Sequence, residues 1–139
     1  MNVIIRLQLT IYFILQLMKK IILLAAILVG SAQLFAQNIT AQEASKNIGK
    51  TVTVCGKVSG GRFFEKNEKT LLNVGGAFPN HALTIVIEGV DRKKFSFKPE
   101  EFFANKEVCI KGEIKEYKGK PELTVTEVEQ IVLVEAKKD

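Results

Sequence analysis

Few side chains in this 139-residue chain are equipped for covalent chemistry: one imidazole, His81, two thiols, Cys55 and Cys109, and carboxylates closest together at Glu100-Glu101 and at Glu127 and Glu129. Catalysis of hydrolysis needs a nucleophile beside a base, a carboxylate pair flanking the bond, or a metal. His81 follows Phe78-Pro79-Asn80 with no second histidine to share a metal, so it reads as a solvated turn residue. Glu100-Glu101 fall at an expected helix start, where the helix dipole accounts for them, and Glu127 and Glu129 read as a solvated face. Two thiols are too few for a four-thiolate zinc site. Gly60-Gly61 and Gly75-Gly76 lack the helix and the Gly-Lys-Ser/Thr ending of a phosphate loop. The expectation is a protein without catalytic residues, cofactor or metal. What remains is a binding chemistry: Arg62, Phe63, Phe64, Lys66 and Lys69 in one stretch, and Tyr117, Lys118 and Lys120 in another. Cations of this kind hold phosphates, and rings stack on bases.

The overall charge argues less for a polyanion than it first suggests. The chain carries 20 basic and 15 acidic residues, a net +5, but residues 1–36 hold three of the basic ones and none of the acidic. The remaining 103 residues carry 17 against 15, a net +2. From Met18 the order is Lys19-Lys20, the apolar run Ile21 to Val29, then Gly30-Ser31-Ala32 and Leu34-Phe35-Ala36-Gln37. A basic start, an apolar stretch and a small-residue boundary are the layout of a secretory signal. Cleavage is expected after Ala36, with Ala32 as the alternative. No Leu-x-x-Cys lipoprotein pattern is present. Met18 opens a complete signal, so Met1 is read as a mis-called start. An uncleaved apolar anchor is the competing reading, although Ile21 to Val29 is shorter than the roughly 20 residues of a span. Either way residues 37–139 are expected in the periplasm or outside the cell, with no stable membrane span once the signal is cut.

The elements that must position the binding residues are short and β-rich. Thr40 with Glu43 three residues on forms a capping box, and Gly49 closes a helix of about two turns. Thr51 to Val58 alternates with Val52, Val54 and Val58 on one face and Cys55 and Lys57 on the other, and Ser59-Gly60-Gly61 is expected to end it. Further strands are predicted at Leu71 to Val74 and Leu83 to Glu88, the latter central. Pro99 starts one or two helical turns. The fourth strand is predicted over Glu107 to Tyr117, the turn at Lys118-Gly119-Lys120, and the fifth over Pro121 to Thr126. A bulge is expected at Glu127-Val128 before Ile131 to Val134, and Ala136 to Asp139 is read as a frayed tail.

Five strands with a helix between the third and fourth is the element order of the five-stranded OB-fold Greek-key barrel. The segments Val52-Thr53-Val54-Cys55-Gly56-Lys57-Val58, Leu72-Asn73-Val74-Gly75 with Phe78-Pro79-Asn80, Val108-Cys109-Ile110-Lys111-Gly112-Glu113-Ile114 and Tyr117-Lys118-Gly119 resemble small exported bacterial OB-fold domains of the nucleic-acid-binding, tRNA-anticodon-like type. Similar domains occur alone behind signal peptides or attached to secreted nucleases. The resemblance spans most of residues 41 to 134. It implies neighbouring first and fourth strands, so that Cys55 and Cys109 can meet as a disulfide; two free thiols are the alternative. It also implies a binding face between the strand 1–2 loop, assigned Arg62, Phe63, Phe64, Lys66 and Lys69, and the strand 4–5 loop, assigned Tyr117, Lys118 and Lys120. Arg92-Lys93-Lys94 reads as a solvated turn flank, with an extension of the binding path as the alternative. The expected partner is single-stranded nucleic acid, or else a small ligand, an oligosaccharide or an envelope protein, with docking through an exposed strand edge as a third reading.

Overall fold

The computed structural model describes residues 2–29 and 38–135, with side chains for 2–22 and 38–135. Residues Met1–Phe35 and Ala36–Asp139 form two separate compact units. The first contains α1 (Asn2–Val29), whose side chains Val3 to Ile22 are exposed. Among the described residues, no helix is long and apolar enough to cross a membrane. The cleavage positions expected after Ala36 or Ala32, and the tail Ala136 to Asp139, lie outside the described residues.

The second unit contains β1 (Asn38–Thr40), β2 (Thr51–Phe64), β3 (Lys69–Val74), β4 (Leu83–Glu88), α2 (Gly89–Arg92), α3 (Pro99–Phe102), β5 (Glu107–Tyr117), β6 (Lys120–Thr124) and β7 (Ile131–Leu133). Five of the strands close on themselves in the order β2-β3-β4-β6-β5 and back to β2, antiparallel except for β4 with β6. With the helices of residues 89–102 between the third and fourth barrel strands, this is the OB-fold. β1 adds a parallel partner to β2, and β7 an antiparallel partner to β5, so the described residues hold seven strands where five were expected.

Closure depends on two long strands that each serve two neighbours. β2 pairs with β5 over Thr51 to Lys57 and with β3 over Val58 to Phe64, and a bulge between Val58 and Gly60 turns it. The glycines expected to end this strand instead bend it. Gly61 must lack a side chain, because a Cβ there would stand 2.6 Å from Leu72 Cδ2 and 2.8 Å from the Leu71 carbonyl. The alternation read from the sequence holds: Val52, Val54, Val58, Leu72, Val74, Leu83, Ile85, Ile87, Val108, Ile110, Ile114 and Leu123 face the core.

Helical segments fill the barrel ends. The turn at residues 41–47 is a 3-10 helix, which places Ala41 and Ala44 in the core. Its start is held as the capping box predicts, the Glu43 carboxylate accepting from the Thr40 N–H at 2.8 Å and the Thr40 hydroxyl at 2.9 Å. Phe95, Phe97, Phe102 and Phe103 form one aromatic cluster, with ring centroids 4.0 to 5.6 Å apart. The irregularity expected at Glu127-Val128 is a 3-10 turn (Val128–Gln130) instead of a bulge. Its cause is Gln130, whose side-chain oxygen accepts from the N–H groups of Thr126 and Glu127 at 2.8 and 2.9 Å.

Candidate ligand groove and the cross-strand disulfide

Cys55 and Cys109 are bonded to each other. They are directly opposed in the β2–β5 ladder, and their Cα atoms are 4.1 Å apart, the spacing of the narrow, non-hydrogen-bonded kind of antiparallel pair. Both lie on the valine-free faces of their strands, so the bond lies outside the barrel core.

The residues expected to bind are placed by strand parity. On the outward face of the β2-β3-β4-β6 sheet, Arg62 lies opposite Leu71, which lies opposite Val86; Asn73 lies opposite Thr84, which lies opposite Glu122. Beyond this face the chain between β3 and β4 carries Phe78 and His81. The β5–β6 hairpin carries Tyr117, Lys118 and Lys120, where Lys118 (φ +50°) and Gly119 (φ +78°) both take left-handed conformations. Positive φ at both central residues is the two-residue turn that suits the twist of paired strands. Lys120 Nζ donates to the Pro79 carbonyl at 2.8 Å and ties this hairpin to the Phe78 loop.

Two concavities meet on this face. One, of about 410 Å³, is lined by Gly61, Arg62, Phe64, Leu71, Asn73 and Phe78. The other, of about 320 Å³, shares Leu71, Asn73 and Phe78 and continues to His81, Thr84, Tyr117, Lys118, Lys120 and Glu122. Together they make one groove running from β2 to the β5–β6 hairpin. Phe64, Phe78 and Tyr117 are 38%, 75% and 58% exposed, so each ring is partly open to solvent at the groove. The Arg62 guanidinium lies 5.2 Å from the Phe64 ring centre, and Lys118 Nζ 5.3 Å from that of Tyr117.

Of the residues singled out in the sequence, Arg62, Phe64, Tyr117, Lys118 and Lys120 come together in this groove. Arg62, Phe63 and Phe64 belong to β2 itself, since the loop between β2 and β3 is only residues 65–68. Lys66 is at that loop. Lys69 is in β3 and pairs with Glu88 at 2.9 Å, a bond and a charge that raise its pKa. Phe63, being one residue out of step with Arg62 and Phe64, points to the opposite side. There it meets Arg92, whose guanidinium stands 4.2 Å from the ring centre.

Arg92 is therefore not the solvated turn flank its Lys neighbours suggested. It is a half-buried bridge, bonded through both terminal nitrogens to the Glu100 carboxylate and at 2.8 Å to the Thr70 hydroxyl. Burial pushes the Glu100 carboxyl up, but the Arg92 bond, its own backbone N–H and the charges of Arg92 and Lys98 outweigh this and hold it below the ordinary range. Lys94 likewise pairs with Asp91 and Glu127, at 3.0 and 2.7 Å.

His81, expected in solvent, is half-buried at the groove wall. It is 2.8 Å from the Thr84 hydroxyl through Nε2, stacked near Phe78, and its Nδ1 is buried with no partner among the described residues. Burial, assisted by the Lys120 charge, lowers its pKa and favours the uncharged ring. Leu71, Asn73, Phe78, Thr84 and Glu122 were missed as groove residues. The alternation Lys69, Leu71, Asn73 was a legible outward face, but nothing local connects it to Phe78 or Glu122.

No family model matches the chain, and no curated protein matches it. Among solved structures, an asparaginyl-tRNA synthetase from Pyrococcus horikoshii is similar over 73% of this chain and 24% of its own, at 17% identity and a TM-score of 0.49. An aspartyl-tRNA synthetase from Entamoeba histolytica is similar over 74% of this chain and 23% of its own, at 16% identity and a TM-score of 0.49. The Stn1-Ten1 complex of S. pombe matches over 62% of this chain and 59% of its own, at 17% identity and a TM-score of 0.44. The chain thus spans less than a quarter of the length of the synthetases it matches. The fold assignment stands on the strand order itself.

Proposed function

We propose that this protein is an exported, non-enzymatic OB-fold module that binds single-stranded nucleic acid along the groove between β2 and the β5–β6 hairpin. One observation carries the reading: the two concavities share Leu71, Asn73 and Phe78, and so join Arg62 and Phe64 to Tyr117, Lys118 and Lys120 in a single path. Cations stand toward its ends, exposed rings line it, and polar side chains lie on its floor. A strand with outward phosphates and stacked bases asks for that distribution. The non-enzymatic reading draws support from His81: among the described residues its Nδ1 has no carboxylate to orient the ring, as a nucleophile-activating base would need. Export is supported by the signal layout of residues 18–36, and a structural disulfide is at home in an oxidising compartment.

The test is fluorescence anisotropy of a labelled dodecathymidylate against the purified protein over a salt series. With Arg62, Lys118 and Lys120 each engaging a phosphate, affinity should fall with a logarithmic slope of about −2, roughly twentyfold between 50 and 200 mM salt. No binding at low salt would remove the reading. The carboxylate of Glu122 inside the groove favours one competitor, an uncharged oligosaccharide stacked on the same rings, whose binding would not respond to salt.

A further inference from the structure

The row Asn73, Thr84, Glu122 crosses the middle of the groove on three adjacent strands. The Thr84 hydroxyl is taken up by His81. Among the described residues, neither the Asn73 amide nor the Glu122 carboxylate has a hydrogen-bond or ion-pair partner. Lys115, opposite Glu122 in the β5–β6 ladder, makes no ion pair with it. Lys69, the cation whose charge it feels, is paired to Glu88. A carboxylate set in the floor of an otherwise cationic groove works against phosphate binding, so its place needs another reason. Burial raises its pKa, the Lys69 charge opposes this, and the Glu88 charge adds to it.

An ionised carboxylate presents two adjacent acceptor oxygens and no donor. Among the bases, guanine alone presents two adjacent donors, N1–H and the N2 amine, on one edge, with an acceptor, O6, beside them. Unstacked bases in single strands are read on that edge. Asn73 and Glu122 stand two strand spacings apart, about 9.5 Å, which leaves room for one base between them. The roughly 320 Å³ concavity they line is walled by Phe78 and Tyr117, rings on which the base can stack.

We infer that Glu122 makes the groove selective for guanine, its carboxylate accepting from N1–H and the N2 amine while Asn73 donates to O6. This rests on the nucleic-acid reading of the groove and adds base preference to it. Thymine, which offers a single donor flanked by two acceptors, sets a carbonyl against the carboxylate and is disfavoured.

Anisotropy with the full-length chain, held in mild detergent because α1 exposes apolar side chains, would compare dodecathymidylate with dodecamers carrying one central guanine or hypoxanthine. A bidentate contact of this kind discriminates by about tenfold. The guanine dodecamer should bind about tenfold tighter than dodecathymidylate, and hypoxanthine, lacking the N2 amine, should fall between. In E122Q the three should converge to within about twofold, and dodecathymidylate should bind more tightly than it does to the unaltered protein. Equal binding of the three by the unaltered protein overturns the selectivity and leaves nucleic-acid binding standing. Absence of binding by all three removes both. The unaltered protein decides the question even if E122Q fails to fold.

Discussion

Replacing Cys55 and Cys109 together by alanine removes a link that holds the barrel closed at the β2–β5 seam. The bond joins residues 54 apart in sequence, and the closed loop contains β3, β4, α2 and α3. Without the link, the unfolded chain gains the freedom that loop had lost, about 4 kcal/mol in the chain-entropy treatment. Domains of this size are stable by roughly 5 to 15 kcal/mol, so the loss is a large share of the whole. The β2–β5 ladder keeps its hydrogen bonds, and the cysteines lie outside the core, so the alanine variant should still fold. With a urea slope of about 1 to 3 kcal/mol/M, the unfolding midpoint followed by far-ultraviolet circular dichroism should fall by about 2 M. Reduction of the unaltered protein should move its midpoint to nearly the same place. A fall of less than about 0.5 M refutes the loop argument, and two reactive thiols per chain in the unfolded, unreduced protein refute the bond itself.

Arg92→Met removes the partner of Glu100 and of the Thr70 hydroxyl, and should cost about 2 kcal/mol in chemical denaturation, as expected when charged hydrogen bonds in a half-buried pair are lost. Because Glu100 is held below its ordinary value in the folded state, its contribution is present above about pH 4.5 and lost as the pH falls through the folded pKa, so this variant should show a weaker acid dependence of stability between pH 5 and 3. Phe78→Ala and Tyr117→Ala should each weaken oligonucleotide binding by about 1 to 3 kcal/mol, while thermal unfolding changes little because both rings are exposed. Gly61→Ala should destabilise by about 1 to 3 kcal/mol, since the added methyl must displace Leu72 or the Leu71 carbonyl, and unchanged stability would mean the β2 bend gives way freely.

The sequence by itself determined the elements whose signals are local. Strands at Leu83 to Glu88 and Glu107 to Tyr117, the helical turn at Pro99 and the capping box at Thr40 were legible because alternation, a fixed proline φ and a three-residue spacing act within one segment. The inward valines followed from parity alone. Three kinds of fact were settled only by tertiary structure. Gly60-Gly61 reads locally as a break, yet β3 pairs along the whole of Arg62 to Phe64 and turns the break into a bend. Arg92 reads as one of three turn cations, yet folding brings it to Glu100 and Thr70, eight and 22 residues away, and makes it a half-buried bridge. The groove shows the same division. The cations and rings of both stretches were visible as composition, but the parity of β2 divides Phe63 from Phe64, and the closing of β6 against β4 places Glu122 beside Thr84. Side chains on separate strands acquire a common floor only when non-local ladders set the register, and no window of the sequence contains that information.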